Sequence, residues 1–110
     1  MNTLTTKRCL PCEVGTLPLE REAVEKLLKE IPEWEWKNYH HLQRRFNFKD
    51  FAEALAFVNK VGALAEKEGH HPDIEFGWGY VAIKLFTHNI NGLSENDFIV
   101  AAKINQLVAS

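Results

Sequence analysis

Leu42-Gln43-Arg44-Arg45-Phe46-Asn47-Phe48, running directly into Lys49-Asp50-Phe51-Ala52-Glu53-Ala54-Leu55, is the stretch that decides the fold. Its first seven residues alternate. Leu42, Arg44, Phe46 and Phe48 share one face and Gln43, Arg45 and Asn47 the other, the period-two mark of a half-buried strand. At Lys49 the period changes. From Lys49 to Glu68, Phe51, Ala54, Leu55, Val58, Val61 and Ala65 form a helical apolar stripe, widened by Phe57 and Leu64. Asp50 is placed to cap this helix and Gly69 to stop it. His70-His71-Pro72 therefore follows a helix end, with Pro72 forcing an extended backbone on His71.

Working outward, the same two periods recur. Leu19 to Ile31 reads as a helix with Val24, Leu27, Leu28 and Ile31 on one stripe, ended by Pro32. Glu33 to Lys37 reads as a short strand carrying Trp34 and Trp36 on one face, with a turn at Asn38. His40 and His41 stand at the start of the next strand, pointing to opposite faces as exposed strand-end residues. Downstream, Asp73 to Trp78 and Tyr80 to Thr87 read as a hairpin pivoting near Gly77 and Gly79. Val81, Ile83 and Leu85 share one face of its second strand. If that strand continues, His88 joins the Lys84 and Phe86 face. Ser94 at the N-cap and Asp97 at N3 resemble a capping box opening the last helix, whose stripe is Phe98, Ala101, Ile104 and Val108. The order α-β-β-α-β-β-α, with short, locally connected strand pairs, predicts an α+β fold. A four-stranded antiparallel sheet carries three helices packed on one face. The other face is available for self-association.

With 110 residues the chain is one domain able to bury a core without disulfides. A 45% hydrophobic, 25% charged composition excludes a disordered chain, and a net charge of −2 carries no footprint for nucleic acid. No apolar run is long enough to span a bilayer, and Met1 to Thr6 has no signal-peptide character, so a cytoplasmic protein is expected. Residues 1–18 read as an N-terminal extension containing Cys9-Leu10-Pro11-Cys12. This CxxC precedes any strand, unlike a redox motif, and has no second CxxC to complete a zinc site. Its thiols are read as incidental.

Three of the five histidines, His70, His71 and His88, fall close together in the sequence. An unperturbed imidazole titrates near pH 6.5, so such a cluster points to proton transfer or to metal binding. A metal set of His70, His71 and His88 with Cys9 or Cys12 is disfavoured, because adjacent side chains diverge and the spacing fits no zinc pattern.

The run Ala65 to Pro72 ending in Gly69-His70-His71-Pro72, then Thr87-His88, then Gly92-Leu93-Ser94-Glu95-Asn96-Asp97, resembles the pterin-4a-carbinolamine dehydratases. The Trp34 region, Leu42 to Phe48 and Asp50 to Ala54 fit the same pattern. The resemblance covers residues 19–110, taken as the dehydratase-like domain. It implies an α+β fold, a homodimer or homotetramer, and removal of water from 4a-hydroxytetrahydropterin to give quinonoid dihydropterin. That reaction recycles the cofactor of aromatic amino-acid hydroxylation and suggests a link to such a hydroxylase. On the resemblance, the catalytic residues are His70, His71 and His88. Substrate contacts fall on Gly69 to Pro72 and on Phe86, Thr87, His88 and Asn89, with Asp97 in support. The chemistry fits imidazoles: an acid for the departing hydroxyl and a base for the ring N–H proton, with no metal or organic cofactor. His70 is read as an acid/base, His88 as its partner across the substrate, and His71 as a binding or protonation-control group. Asp97 keeps two readings, a helix cap or a group that orients a histidine or binds the pterin edge. Trp78 and Phe86 are read as packing residues ahead of a stacking wall. Gly69 departs from the polar residue many relatives carry, and the Asp73–Tyr80 hairpin holds extra glycine. The alternative function is a non-catalytic protein-binding or dimerisation role on the same fold.

Overall fold

The computed structural model describes residues 3–10 and 15–109. A 3₁₀ helix at Thr3–Thr6 leads into α1 (Arg21–Leu28), β1 (Glu35–Lys37), β2 (His41–Asn47), α2 (Phe51–Glu68), β3 (Asp73–Gly77), β4 (Tyr80–Leu85), a second 3₁₀ helix (His88–Ile90) and α3 (Glu95–Ala109). The strands form one antiparallel sheet in the order β1-β2-β4-β3. The α+β order expected from the alternating periods is the order observed.

Register sets the core. Leu42 pairs with Leu85, Arg44 with Ile83 and Phe46 with Val81, while Ile74 and Phe76 continue the same rows on β3. These residues share a face, and Leu42, Val81, Ile83 and Leu85 are fully buried there. Arg44 joins this apolar face by laying its guanidinium 4.3 Å from the Phe46 ring and bonding Asn105 Oδ1. The opposite face presents Gln43, Arg45, Ala82 and Lys84. On α2 the core residues are Ala54, Phe57, Val61 and Ala65. Phe51 and Leu55, expected in that stripe, are 45% and 41% exposed, because the buried arc is centred on Ala54 and Val61. Helix α3 is apolar on more than one side. The run Phe98–Ala102 is buried throughout, since α2 and the N-terminal 3₁₀ helix both pack on it. Val108, beyond that double contact, is exposed.

Local bonds set the ends of the elements. Helix α1 is shorter than Leu19–Ile31. The Leu19 amide is taken by Leu93 O at 2.8 Å, and the last turn closes with the tighter bonds Glu30 N–H to Leu27 O and Ile31 N–H to Leu28 O. Trp34 is drawn out of β1 by a turn bond to Ile31 O. Asn38 and Tyr39, at φ 52° and 54°, make the β1–β2 turn with paired left-handed residues. Asp50 accepts the Glu53 N–H at 2.9 Å, and Gly69 closes α2 at φ 66°. His41, expected exposed, is a buried member of β2 with its Nδ1 3.2 Å from that of His40. No helix among the described residues is long and apolar enough to cross a membrane.

Candidate active site

The sheet and α2 deliver the histidines to one end of the fold. Gly69 turns the chain sharply off α2, which brings His70 back toward the first turn of α3. The strand β4 stops at Leu85. Thr87 then forms an isolated bridge with Gly92, the two exchanging N–H···O bonds at 2.8 and 3.4 Å, and His88 to Ile90 make a tight 3₁₀ loop. His88 therefore leaves the sheet instead of extending the Lys84 and Phe86 face, and its ring stacks on Phe86 with centroids 4.1 Å apart.

Asp97 holds this end together. It is fully buried. Its Oδ1 lies 2.6 Å from His70 Nε2, and its Oδ2 accepts the Ser94 N–H and the Thr87 hydroxyl, each at 2.9 Å. The Thr87 proton is committed to Asp97, so the Ser94 hydroxyl donates to Thr87 Oγ1 at 2.8 Å. A carboxylate only accepts, which puts a proton on His70 Nε2 and leaves Nδ1 as the uncommitted nitrogen. Three donors satisfy a buried carboxylate that would otherwise be costly to desolvate. The capping reading and the histidine-orienting reading of Asp97 are thus served by different oxygens.

A cleft of about 440 Å³ opens above this network. His70, His71 and His88 border it together with Gly69, Thr87 and Asn89. Pro72 and Phe86 are not among its walls; Phe86 backs His88 and also meets His40 at 4.5 Å. His70 is nearly enclosed, its side chain 11% exposed, whereas those of His71 and His88 are each 59% exposed. His71 Nε2 bonds the Glu66 carboxylate, and His88 Nε2 sits 4.0 Å from Asp73. Trp78 is exposed at the hairpin turn and outside the cleft. Among the described residues, no three His, Cys, Asp or Glu side chains converge as a metal-ligand set.

The remaining wall consists of residues that the sequence does not assign to the site: Cys9, whose thiol is read there as incidental, Leu10, Glu68 and Asn96. Glu68 is buried and bonds Lys103 Nζ at 2.7 Å and the Cys9 N–H at 3.0 Å. Burial alone would raise its carboxyl pKa, but the Lys103 ammonium and the Cys9 amide outweigh burial and hold it below the ordinary value. The Cys9 thiol is pushed up to about 12, by burial first and by the Glu68 charge second. It is a protonated group and a poor nucleophile at neutral pH. Cys12 lies outside the described residues. Each of the four wall residues lies in a stretch the sequence marks, Cys9 and Leu10 in the CxxC, Glu68 in the Ala65–Pro72 run and Asn96 in the Gly92–Asp97 run, but none is read there as a cleft residue.

The profile of the family described as Pterin 4 alpha carbinolamine dehydratase matches residues 17–107. The chain belongs to this family. Among curated pterin-4a-carbinolamine dehydratase relatives, one from Rubrobacter xylanophilus, named a putative dehydratase, is 52% identical over 97% of this chain and 100% of its own length. Another so named, from Methylococcus capsulatus, is 55% identical over 97% of this chain and 95% of its own. A solved structure titled as a transcriptional coactivator/pterin dehydratase from Brucella melitensis superposes with a TM-score of 0.76 at 31% identity, covering 82% of this chain and 97% of that one. A pterin dehydratase-like protein, titled as a RuBisCO assembly factor in the alpha-carboxysome, gives 0.60 at 32% identity over 71% and 92%. The pterin-4a-carbinolamine dehydratase match takes in His70, His71, His88 and Asp97, and begins after Cys9 and Leu10.

Proposed function

We propose that this protein is a 4a-hydroxytetrahydropterin dehydratase. One observation carries the reading: a histidine with one ring nitrogen bonded to a fully buried carboxylate, in a cleft bordered by two further histidines. The substrate carries a hydroxyl on C4a beside the N5–H. An acid protonates the hydroxyl, the C4a–O bond breaks and water leaves. A base takes the N5 proton, and its electron pair forms the C4a=N5 bond of quinonoid dihydropterin. Imidazoles can give and take a proton, so both roles fall to the histidines and the reaction needs no metal or organic cofactor. His70, held through Nε2, works through Nδ1; His88 serves as its partner and His71 binds substrate. Gly69, Thr87 and Asn89 complete the contacts. The protein acts in the cytoplasm as a homo-oligomer, returning the tetrahydropterin cofactor of an aromatic amino-acid hydroxylase.

The deciding experiment follows the breakdown of freshly generated 4a-hydroxytetrahydropterin. Wild-type protein is expected to accelerate it and His70→Ala to fall close to the spontaneous rate. No acceleration by the wild type overturns the reading. It would favour a second one, a binding or assembly protein, for which the titles of the two solved relatives supply the precedent.

A further inference from the structure

The histidine cleft has a wall outside the residues that the family profile matches. Cys9 and Leu10 border the same cleft as His70, His71 and His88, although the family match begins at residue 17. That wall is held by side chains of the domain. The amide of Asn96 bonds both backbone groups of Leu10: its Oδ1 accepts the Leu10 N–H at 3.0 Å and its Nδ2 donates to the Leu10 carbonyl at 2.5 Å. One side chain thus imitates a strand neighbour and fixes the peptide at two points. One residue earlier, the Cys9 N–H donates to Glu68, which Lys103 holds from behind. Lys7 pairs with Glu95, and Leu4 is fully buried in the core.

These anchors are expensive for a mere tail. Asn96 is 8% exposed, and a buried amide costs free energy unless its donors and acceptor are paired. Asn96 also adjoins Asp97, which orients His70. The first turn of α3 therefore places the N-terminal wall and the histidine side by side. We propose that Cys9 and Leu10 form a working wall of the pterin cleft, with Asn96 as its positioning residue. This rests on the pterin reading of the cleft but not on turnover.

Cys9 supplies the readout. In a Cys12→Ser background at a pH of about 9, enough of the raised Cys9 thiol is ionised to react slowly but measurably. There, alkylation of Cys9 by iodoacetamide is followed with and without saturating dihydrobiopterin, saturation being set by a binding titration at the same pH. The occupied cleft is expected to slow alkylation of Cys9 by about tenfold. Asn96→Ala, which frees both Leu10 bonds, is expected to speed alkylation of the empty protein and to weaken dihydrobiopterin binding about tenfold, the equivalent of roughly one lost hydrogen bond. Asn96→Asp keeps the acceptor and loses the donor, so its effect should fall between the two. A merely structural Asn96 would lower thermal stability and leave pterin protection of Cys9 in place. The proposal is overturned if bound dihydrobiopterin leaves Cys9 alkylation unchanged, if Asn96→Ala binds it as the wild type does, or if the wild type does not bind it. Protection without turnover sinks the dehydratase reading alone; turnover without protection sinks the wall alone.

Discussion

Asp97 reaches His70 with one carboxylate oxygen and its own helix start with the other. The 2.6 Å contact to His70 Nε2 is made by Oδ1, while Oδ2 stays with the Ser94 amide and the Thr87 hydroxyl. Both the helix start and the bridge at Thr87 are held by backbone bonds, so the imidazole inherits their position. A histidine on the short segment after α2 is thereby fixed as firmly as one on a helix, which catalysis by proton transfer requires.

Asp97→Asn separates the roles of that carboxylate. The amide has one acceptor in place of two, so with its oxygen kept on Ser94 and Thr87 its NH2 faces His70. His70 must then accept at Nε2 and carry its proton on Nδ1, the tautomer that cannot act as a base there. Turnover is expected to fall roughly a hundredfold, in the range typical for losing oriented acid–base catalysis. Stability should fall by about 1 kcal/mol, as charge-assisted bonds to a carboxylate become neutral ones. Paired kinetics and urea unfolding check this. A stability loss with turnover intact would reduce Asp97 to a helix cap.

Among the histidines, exposure predicts the outcome. His71→Ala and His88→Ala remove side chains that are more than half exposed, so stability should stay within about 0.5 kcal/mol. His70→Ala strips a donor from buried Asp97 and should destabilise more. All three lower turnover, with His70→Ala the largest at roughly a hundredfold. Thermal unfolding beside the dehydration assay checks the ranking. Equal turnover in His70→Ala and wild type would remove His70 from the mechanism.

The elements were legible where the pattern was local. The switch from alternation to helical spacing at Lys49, the Asp50 cap and the Gly69 stop all report on bonds within a few residues. Misjudged features depend on partners that such patterns do not mark. Leu19 is captured by Leu93, far along the chain, whereas His88 leaves its strand through a near pair, Thr87 with Gly92, that an alternation pattern does not mark. The outward turn of Phe51 and Leu55 reflects which arc of α2 meets the sheet, a choice several apolar positions leave open. In the site, the histidines and Asp97 stood out through motif spacing. The Cys9–Glu68 and Leu10–Asn96 bonds join residues far apart in sequence, and no local pattern encodes them.

Gly69 offers a test of backbone alone. Its φ of 66° is left-handed, and an added Cβ would meet nothing within 4 Å. Gly69→Ala should therefore cost only conformational energy, about 1 kcal/mol. If the left-handed turn survives, His70 keeps its bond to Asp97 and turnover is retained. Urea unfolding and the dehydration assay check both halves. A loss of turnover at unchanged stability would show that Gly69 meets substrate directly.

Stability should decline in two separate steps as pH falls. His41 is held below its ordinary 6.5, first by burial, then by the nearby Lys84 and His40 charges. The unfolded chain therefore takes up this proton more readily than the folded one. The His41 contribution is complete above the ordinary value and is lost as pH drops through it toward the folded value. Glu68 is held below 4.5, where the Lys103 ammonium and the Cys9 amide overcome the opposing effect of burial. Its contribution is complete above 4.5 and is lost as pH falls through the folded value. Unfolding free energies measured by urea between pH of about 8 and about 3 should show the two declines in that order. His41→Gln should remove the first decline and leave the second. Glu68→Gln should remove the second and also lower stability near neutrality, since Lys103 loses its partner. A His41→Gln profile parallel to that of the wild type would exclude His41 as the source of the first step.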